Sequence, residues 1–303
     1  MSLFKESISF VVVCFKSSEA LKSLLLSVPK EIEVILVDNS QDEETREIAK
    51  AYDCLLLQNK KNIGFGAACN LGASKATGDY LLFVNPDSEI LPNALEELIK
   101  AAQNYPNASA FNPRIINQAG KQSFKRRSVL LSKSEWMSRT FPSSDKEVTV
   151  LSGAAIFIKK ENFLKVSGFD EKIFLYHEDD DISIRLKNEI GSLMYVHNSV
   201  IKHIGGSSSS RDKSIAAIKG YHMGRSRVYS QKKHNHKAVT IKNVFLAMIQ
   251  VFSPEMLFSE RKRAKYISFL KGVFAEINLL GSIKWLSLLE ELDLLAQILF
   301  WAG

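Results

Sequence analysis

Residues 8–40 read ISFVVVCFKSSEALKSLLLSVPKEIEVILVDNS, and the fold is decided by how that stretch divides. ISFVVVCF (8–15) is a short apolar run rich in β-branched residues, the pattern of a strand buried on both faces. SSEALKSLLLSV follows, with serines at a capping position and apolar residues at helical spacing. EVILVDNS (33–40) is a second buried strand that ends in polar turn residues. DEETREIAKAY then reads as a helix and CLLLQN as a third strand. This alternation predicts an α/β fold with a parallel sheet covered by helices. In such sheets ligands sit beyond the carboxyl ends of the strands, where Asp38 and Asn39 fall.

Working outward, NIGFGAACNLG (62–72) places Gly64, Gly66 and Gly72 around the start of a helix that carries Asn70. The spacing is neither a dinucleotide fingerprint nor a Walker A loop, but glycines beside a helix start permit close backbone approach to a ligand. DYLLFV (79–84) is another strand. It stops at Asn85-Pro86-Asp87, because Pro86 cannot continue a central ladder, and this makes Asp87 a second strand-end acid. NALEELIKAAQNY (93–105) is an amphipathic helix, and residues 117–149, including GKQSFKRRS, are polar and irregular and read as a mobile loop region. VTVLSGAAIFIKK (148–160) returns to strand character around Gly153, and LMYVHNSVIKHIGGSSSS gives a last strand and a Gly/Ser-rich turn.

Composition narrows the class. With 303 residues, 46% hydrophobic and 24% charged, the chain is expected to fold as one large domain, or one domain with an appendage. Cys14, Cys54 and Cys69 are few, odd in number and without metal-like spacing, which points to a reducing compartment and no disulfide framework. No signal-peptide layout and no stretch near 18 uninterrupted apolar residues is found, so a cytoplasmic location without a spanning helix is expected. The net charge of +7 is uneven: residues 211–245 hold nine Lys or Arg against one acid, Asp212. That run is either a solvated basic face or an attractor for a phosphate-bearing ligand or an anionic membrane. No basic–aromatic signature or zinc finger supports nucleic acid as a partner. In the C-terminal region, Tyr266, Ile267, Phe269, Leu270, Val273, Phe274, Ile277 and Leu280 recur at helical spacing behind the cluster Arg261, Lys262, Arg263 and Lys265. Such a helix packs on the core or on a second subunit, or lies in a membrane interface.

The stretch YHEDDDISIRLK (176–187) poses a separate problem, because it sets Glu178, Asp179, Asp180 and Asp181 in a row. Two carboxylates about 4 Å apart repel by roughly 4 kcal/mol at an effective dielectric near 20. A helix starting near Glu178 eases this, since its dipole favours negative charge in the first turn and successive side chains diverge by about 100°. Asp181 and Arg185 are then placed to pair at i,i+4, and Ile182 and Leu186 share a buried face. Glu178 and Asp179 are left at the helix mouth, either as a plain acidic cap or as a candidate general base.

VSGFDEKIFLYHEDDDISIRLK, taken in order with VDNS, NIGFGAACNLG, VNPDSEI and KHIGG, resembles the family 2 glycosyltransferases, and most of all their bacterial rhamnosyltransferase-like branch. The motifs span residues 8 to about 229. The resemblance implies a GT-A fold over residues 1–235, with a nucleotide-binding half to about 115 and an acceptor half from about 116, followed by a C-terminal amphipathic helical region at 236–303. It implies an inverting, metal-dependent transfer of a sugar, rhamnose being one such sugar, from a dTDP- or UDP-linked donor. The acceptor implied is a hydroxyl of a glycan or lipid-linked glycan, in bacterial cell-surface polysaccharide synthesis.

Residue by residue, the resemblance assigns Asp179 as the catalytic base with Glu178 beside it, and Asp87 and His203 as ligands of Mg2+ or Mn2+. Asn85 takes the place of the first acid of the Asp-x-Asp motif. Cys14, Phe15, Asp38, Asn62, Gly64, Gly66, Asn70, Asn85 and Arg225 fall on the nucleotide-sugar side, and Gly153 on the acceptor side. CFK at 14–16 stands where many relatives have Thr-Tyr-Asn. Read from the residues alone, Asp38 and Asp87 could equally cap turns. The rival functions are a non-catalytic nucleotide-sugar or glycan-binding module, and a sugar nucleotidylyltransferase, whose Gly-rich N-terminal loop VVVCFKSSEA lacks. The C-terminal helices are expected to make a peripheral contact with the inner membrane face or a homodimer.

Overall fold

The computed structural model describes residues 7–205, 212–236 and 239–277. By contacts the chain divides into two compact units, one of Met1–Glu171 with Glu178–Ser209, the other of Lys172–His177 with Ser210–Gly303.

The first unit is a single sheet with helices on its faces. Its strands are β1 (Ile8–Cys14), β2 (Glu33–Asp38), β3 (Leu55–Gln58), β4 (Tyr80–Val84), β5 (Ser88–Ile90), β6 (Ala108–Ile116), β7 (Gln122–Ser123), β8 (Lys146–Val148), β9 (Ala155–Lys159) and β10 (Ser192–His203). Its helices are α1 (Ser18–Ser27), α2 (Glu43–Ala51), α3 (Phe65–Lys75), α4 (Ala94–Asn104), α5 (Lys160–Lys165) and α6 (Glu178–Glu189). The sheet order is β3-β2-β1-β4-β9-β6-β10-β5, with β7 beside β6 and β8 beside β10. The uniformly apolar runs explain the centre: every residue of β1 and β4 is buried, as strands covered on both faces require. Two apolar layers result, one holding Phe10, Leu21, Leu36, Leu98 and Phe157, the other Val11, Ile35, Phe83, Phe169 and Ile182.

The expected parallel sheet is present across β3, β2, β1 and β4, and beyond β4 the expectation fails. β9 pairs antiparallel with β4 and β6, and β5 antiparallel with β10, so the sheet is mixed. Strand β6, with Asn112 and Pro113 inside it, was not anticipated, because those two residues interrupt its apolar pattern. The polar stretch 117–149 carries two short strands, β7 and β8, which pair with β6 and β10.

The second unit contains α7 (Lys213–Lys233), α8 (Val239–Val251), α9 (Glu255–Phe258) and α10 (Glu260–Glu276). Helices α7 and α10 cross closely: a Cβ on Gly224 would meet the Phe269 carbonyl, and one on Gly272 the Tyr221 carbonyl. Helix α7 thus packs with helices that follow position 235, the boundary read from the sequence. The apolar stripe read over 266–280 does not face outward. Ile267, Phe269, Leu270 and Val273 are buried in this unit's own core with Val228, Ala247 and Val251, and Leu280 lies outside the described residues. Four exposed apolar side chains lie instead on α8 and just past its end, Ile241, Phe245, Ile249 and Phe252, each more than half exposed. Among the described residues no helix is long and apolar enough to cross a membrane.

The β4–β9 contact is the joint of the first unit, and its centre is Phe157, fully buried and stacked on Tyr80 with ring centroids 4.8 Å apart. Phe157→Ala is expected to lower stability by about 3–5 kcal/mol, read as a fall in the denaturant midpoint.

Candidate active site

The carboxyl ends of β1, β2 and β4 open on one edge of the sheet. At the end of β2, Asp38 is completely buried. Its Oδ1 accepts hydrogen bonds from the Ser40 amide (2.8 Å) and hydroxyl (2.7 Å), and its Oδ2 from the Asp42 amide (2.8 Å). Asp38 thus builds the turn that follows β2, one of the two roles open to it from the sequence. Cys14 at the end of β1 is also fully buried within the apolar layer, and burial pushes its thiol up to about 12, so its side chain offers no nucleotide-facing surface. Phe15 beside it is half-buried.

The glycine loop does what its sequence allows. The Gly64 amide donates to Asn62 Oδ1 at 2.9 Å, and Gly64 sits at φ 93° as the residue before α3, a backbone region that side chains disfavour. Gly66 lets Phe169 pack against the first turn: a Cβ there would stand only 3.0 Å from Phe169 Cβ. Asn70 is committed to the same segment: its amide nitrogen donates to the Phe169 carbonyl (2.9 Å) and Glu171 (3.1 Å), and its oxygen accepts from the Phe169 amide (2.9 Å). Both ends of the Asn70 amide are thus bonded to the segment 169–171.

At the end of β4 the chain turns through Asn85 and Asp87 toward β5, which pairs with the end of β10, Ser88 opposite His203. The pairing sets His203 Nε2 3.1 Å from Asp87 Oδ1 and 3.2 Å from Asn85 Nδ2. One imidazole nitrogen cannot serve both: protonated it suits the carboxylate, unprotonated it suits the amide nitrogen. With the Asn85 amide turned over, two oxygens and one imidazole nitrogen converge, a donor set suited to a hard divalent cation. Among the described residues no group of three or more His, Cys, Asp or Glu side chains is placed to hold a metal. Asp87, His203 and the amide would thus hold such an ion only in part, which is how Mg2+ bridges protein to phosphate.

The four acids at the start of α6 separate in the way the helix geometry required. Asp181 is completely buried and is met by Arg185 at 2.8–2.9 Å, and Arg185 also donates to the Val166 carbonyl. Ile182 and Leu186 are buried on the shared face. Asp180 is buried and bridged to Lys125 at 2.8 Å. Asp179 alone of the four stays partly exposed. Its Oδ2 accepts from the Gly153 amide (2.8 Å) and from Lys125 Nζ (2.6 Å), and its Oδ1 from the Asp180 amide (2.9 Å). A Cβ on Gly153 would stand 3.1 Å from Asp179 Oδ2, so this small residue lets the carboxylate lie against the chain. Lys125 was not singled out from the sequence, because nothing in GKQSFKRRS distinguishes it from its basic neighbours. Asn112 was missed too: its amide donates to the Ala155 and Ser152 carbonyls and accepts from the Ser152 amide, fixing the turn under Gly153.

Glu178 is at the start of α6, as expected, but turned inward: it is buried, and its Oε2 has no hydrogen-bond partner among the described residues. Burial first, and then the neighbouring Asp179 charge, push its carboxyl up to about 8. It is held mainly as the acid at neutral pH, which removes one of the four charges and makes it a poor base. A carboxyl raised in the folded state contributes stability fully below its unfolded value, near 4.5, and loses it as pH rises toward 8. Glu178→Gln is accordingly expected to flatten the decline of stability between pH 5 and 8, by up to about 1.4 kcal/mol per pH unit, in urea unfolding run across that range. Arg225 belongs to the second unit, where it pairs with Glu276 at 3.1 Å.

Comparisons with known proteins identify the family and the fold. The model of "Glycosyl transferase family 2" matches residues 9–166. The N-acetylglucosaminyl-diphospho-decaprenol L-rhamnosyltransferase of Mycobacterium tuberculosis is 27% identical over 223 residues, covering 63% of this chain and 73% of that protein. Among solved structures, S. aureus TarS 1–349 in complex with UDP-GlcNAc superposes with a TM-score of 0.56 at 18% identity, over 89% of this chain and 83% of that one. GalNAc-T7 with UDP, GalNAc and Mn2+ gives 0.54 at 17%, over 81% and 58%. Such low identities speak for the fold alone, and that fold is GT-A. With its family model covering more than half of its length and a rhamnosyltransferase among its relatives, the chain belongs to glycosyl transferase family 2 and is a rhamnosyltransferase-like glycosyltransferase.

Proposed function

We propose that the protein transfers a sugar with inversion from a UDP- or dTDP-linked donor to a hydroxyl of a lipid-linked glycan, in the synthesis of a bacterial surface polysaccharide. One observation carries this reading: Asp179 is the single acid of its cluster that reaches the surface, and it is held in place by three hydrogen bonds. The relative from M. tuberculosis, named for a diphospho-decaprenol acceptor, supports the acceptor class.

In this reading the Asp179 carboxylate takes the proton of the acceptor hydroxyl. The acceptor oxygen forms its bond to the anomeric carbon from the face opposite the diphosphate. The bond from that carbon to the diphosphate oxygen breaks, and its electron pair leaves with the nucleoside diphosphate. Asp87 and His203, with the Asn85 amide, would hold a divalent ion, which when bound neutralises charge on the leaving diphosphate. The loop Asn62–Gly64 and the Gly66 turn offer backbone to the nucleotide, and Gly153 floors the acceptor side.

Asp179→Asn is expected to keep UDP binding and to lower transfer by about 10²- to 10⁴-fold, the usual share of a positioned base. The assay is run with UDP-N-acetylglucosamine and dTDP-L-rhamnose as donors; undiminished turnover in the variant overturns the assignment. Asp87→Ala is expected to abolish the tightening of UDP binding by Mn2+ in calorimetry with and without EDTA, and His203→Ala to weaken it. Equal affinities with the metal present would remove both from the ion's site.

The protein is further proposed to be cytoplasmic and peripheral at the inner membrane face. The support is the basic run over 211–245 and the exposed stripe Ile241, Phe245, Ile249 and Phe252, since cations near an anionic surface contribute about 1 kcal/mol each. Full-length protein is expected to co-sediment with anionic liposomes at low salt and to be released at high salt. A dimer that stays in the supernatant would instead make this region an assembly element.

A further inference from the structure

We infer that Lys125 is a positioning residue for the transfer reaction: its ammonium, bridged to Asp179 and Asp180 together, fixes the direction of the Asp179 carboxylate as the acceptor approaches. The inference rests on the reading of Asp179 as the base. Three features carry it.

The first is geometry. Lys125 Nζ lies 2.6 Å from Asp179 Oδ2 and 2.8 Å from Asp180 Oδ1. Its side chain is 23% exposed, against 17% for Asp179 and 5% for Asp180, so this is not a screened surface pair. Lys125 and the Gly153 amide both use Oδ2, and the Asp180 amide uses one site on Oδ1. A carboxylate has about four acceptor sites, which leaves one on Oδ1 for the incoming hydroxyl.

The second is charge. Two adjacent carboxylates without a cation oppose each other's ionisation. Arg185 is engaged with Asp181, and the Glu178 carboxyl between burial and Asp179 is held mainly as the acid. Among the contacts of the described residues, Asp179 is faced by Glu178 and Asp180 on α6, the Gly153 amide, and Lys125. Lys125 is the cation among them. Burial works against its charge, but the two aspartates outweigh that and raise its pKa above the ordinary lysine value.

The third is anchorage. The segment that carries Lys125 is tied on both sides. Strand β7 pairs with β6, Gln122 donates to the Tyr195 hydroxyl at 2.7 Å, and the Phe124 ring meets Tyr195 edge-on at 5.6 Å. On the other side the Arg126 carbonyl accepts from the Met137 amide at 2.8 Å. A long, flexible side chain loses less freedom on pairing when its backbone is already fixed.

The test compares full-length wild type, Lys125→Met, Lys125→Arg and Asp179→Asn, with Lys125→Gln used if the methionine variant does not fold. Transfer is assayed with UDP-N-acetylglucosamine and dTDP-L-rhamnose. In parallel, the aspartate side-chain carboxyls are labelled with 13C and observed by NMR at one fixed pH, with Asp179→Asn identifying the Asp179 signal. Lys125→Met is expected to lower kcat by about 10- to 100-fold, part of what a positioned base supplies, while UDP affinity by calorimetry stays within about twofold. The Asp179 carboxyl signal should change position in Lys125→Met, because the ammonium in contact with Oδ2 is gone. Lys125→Arg should restore most of both. An unchanged Asp179 signal in Lys125→Met overturns the inference whether or not either donor is turned over. So does a wild-type kcat in that variant beside an inactive Asp179→Asn. Wild-type turnover in Asp179→Asn instead overturns the reading of the base itself.

Discussion

The antiparallel pairing of β9 with β4 is the constraint on which the rest of the site depends. Val84 lies opposite Ala155, and one residue further the Asn85 amide donates to the Ala154 carbonyl at 3.1 Å. A strand inserted in this sense brings the turn before it, 152–154, to the same edge as the turn after β4, 85–87. The first turn holds Asp179 through the Gly153 amide. The second carries Asp87, whose carbonyl accepts from the Ile204 amide just past His203. A parallel strand at this place would have delivered its start to the opposite edge. The reversal in the sheet is thus what allows a candidate base and a candidate metal ligand, some ninety positions apart in sequence, to share one rim.

The acidic cluster in a basic chain resolves into different solutions for neighbouring carboxyls. Asp181 has a cation one helical turn away in its own helix. Asp180 and Asp179 share a cation brought by a distant segment. Glu178 gives up its charge, because burial outweighs the helix dipole at its position. Only Asp179 combines a charge with partial exposure, and that difference follows from direction. Successive residues of a helix start point about 100° apart, so one of four faces outward while the others turn into the protein.

Much of this was legible in the sequence. Strands β1, β2 and β4 are nearly pure signals, since buried parallel strands are continuous apolar runs; edge strand β3 and helices α1 to α4 were legible from the alternation of apolar and helical stretches. The strand-end acids and the Asp181–Arg185 pair follow from spacing alone. What was not legible depends on partners distant in sequence. Strand β6 conceals itself behind Asn112 and Pro113. The Asn112 amide is satisfied by Ser152 and Ala155, which a local reading cannot foresee. The backbone groups that the Asp38 and Asn70 side chains bond are visible only in the three-dimensional arrangement. In the second unit, an apolar stripe at helical spacing marks α10 as amphipathic but does not say what covers it. The cover is this unit's own core.

Lys125 marks the limit of sequence reasoning most sharply, and its setting also explains why the polar stretch 117–149 is built as it is. A base needs to be ionised, fixed and reachable. The sheet supplies fixity through Gly153, and the helix supplies it through the Asp180 amide, but neither carries a positive charge. A cation on a central strand would have to be buried among apolar side chains, at a cost of several kcal/mol without its partner. Carried on an irregular segment, it can arrive from the rim and stay partly solvated. Two short strands and the Phe124–Tyr195 contact then anchor that segment to the sheet. The irregularity that made 117–149 look structurally empty is what lets a charged side chain reach the carboxylates without passing through the core.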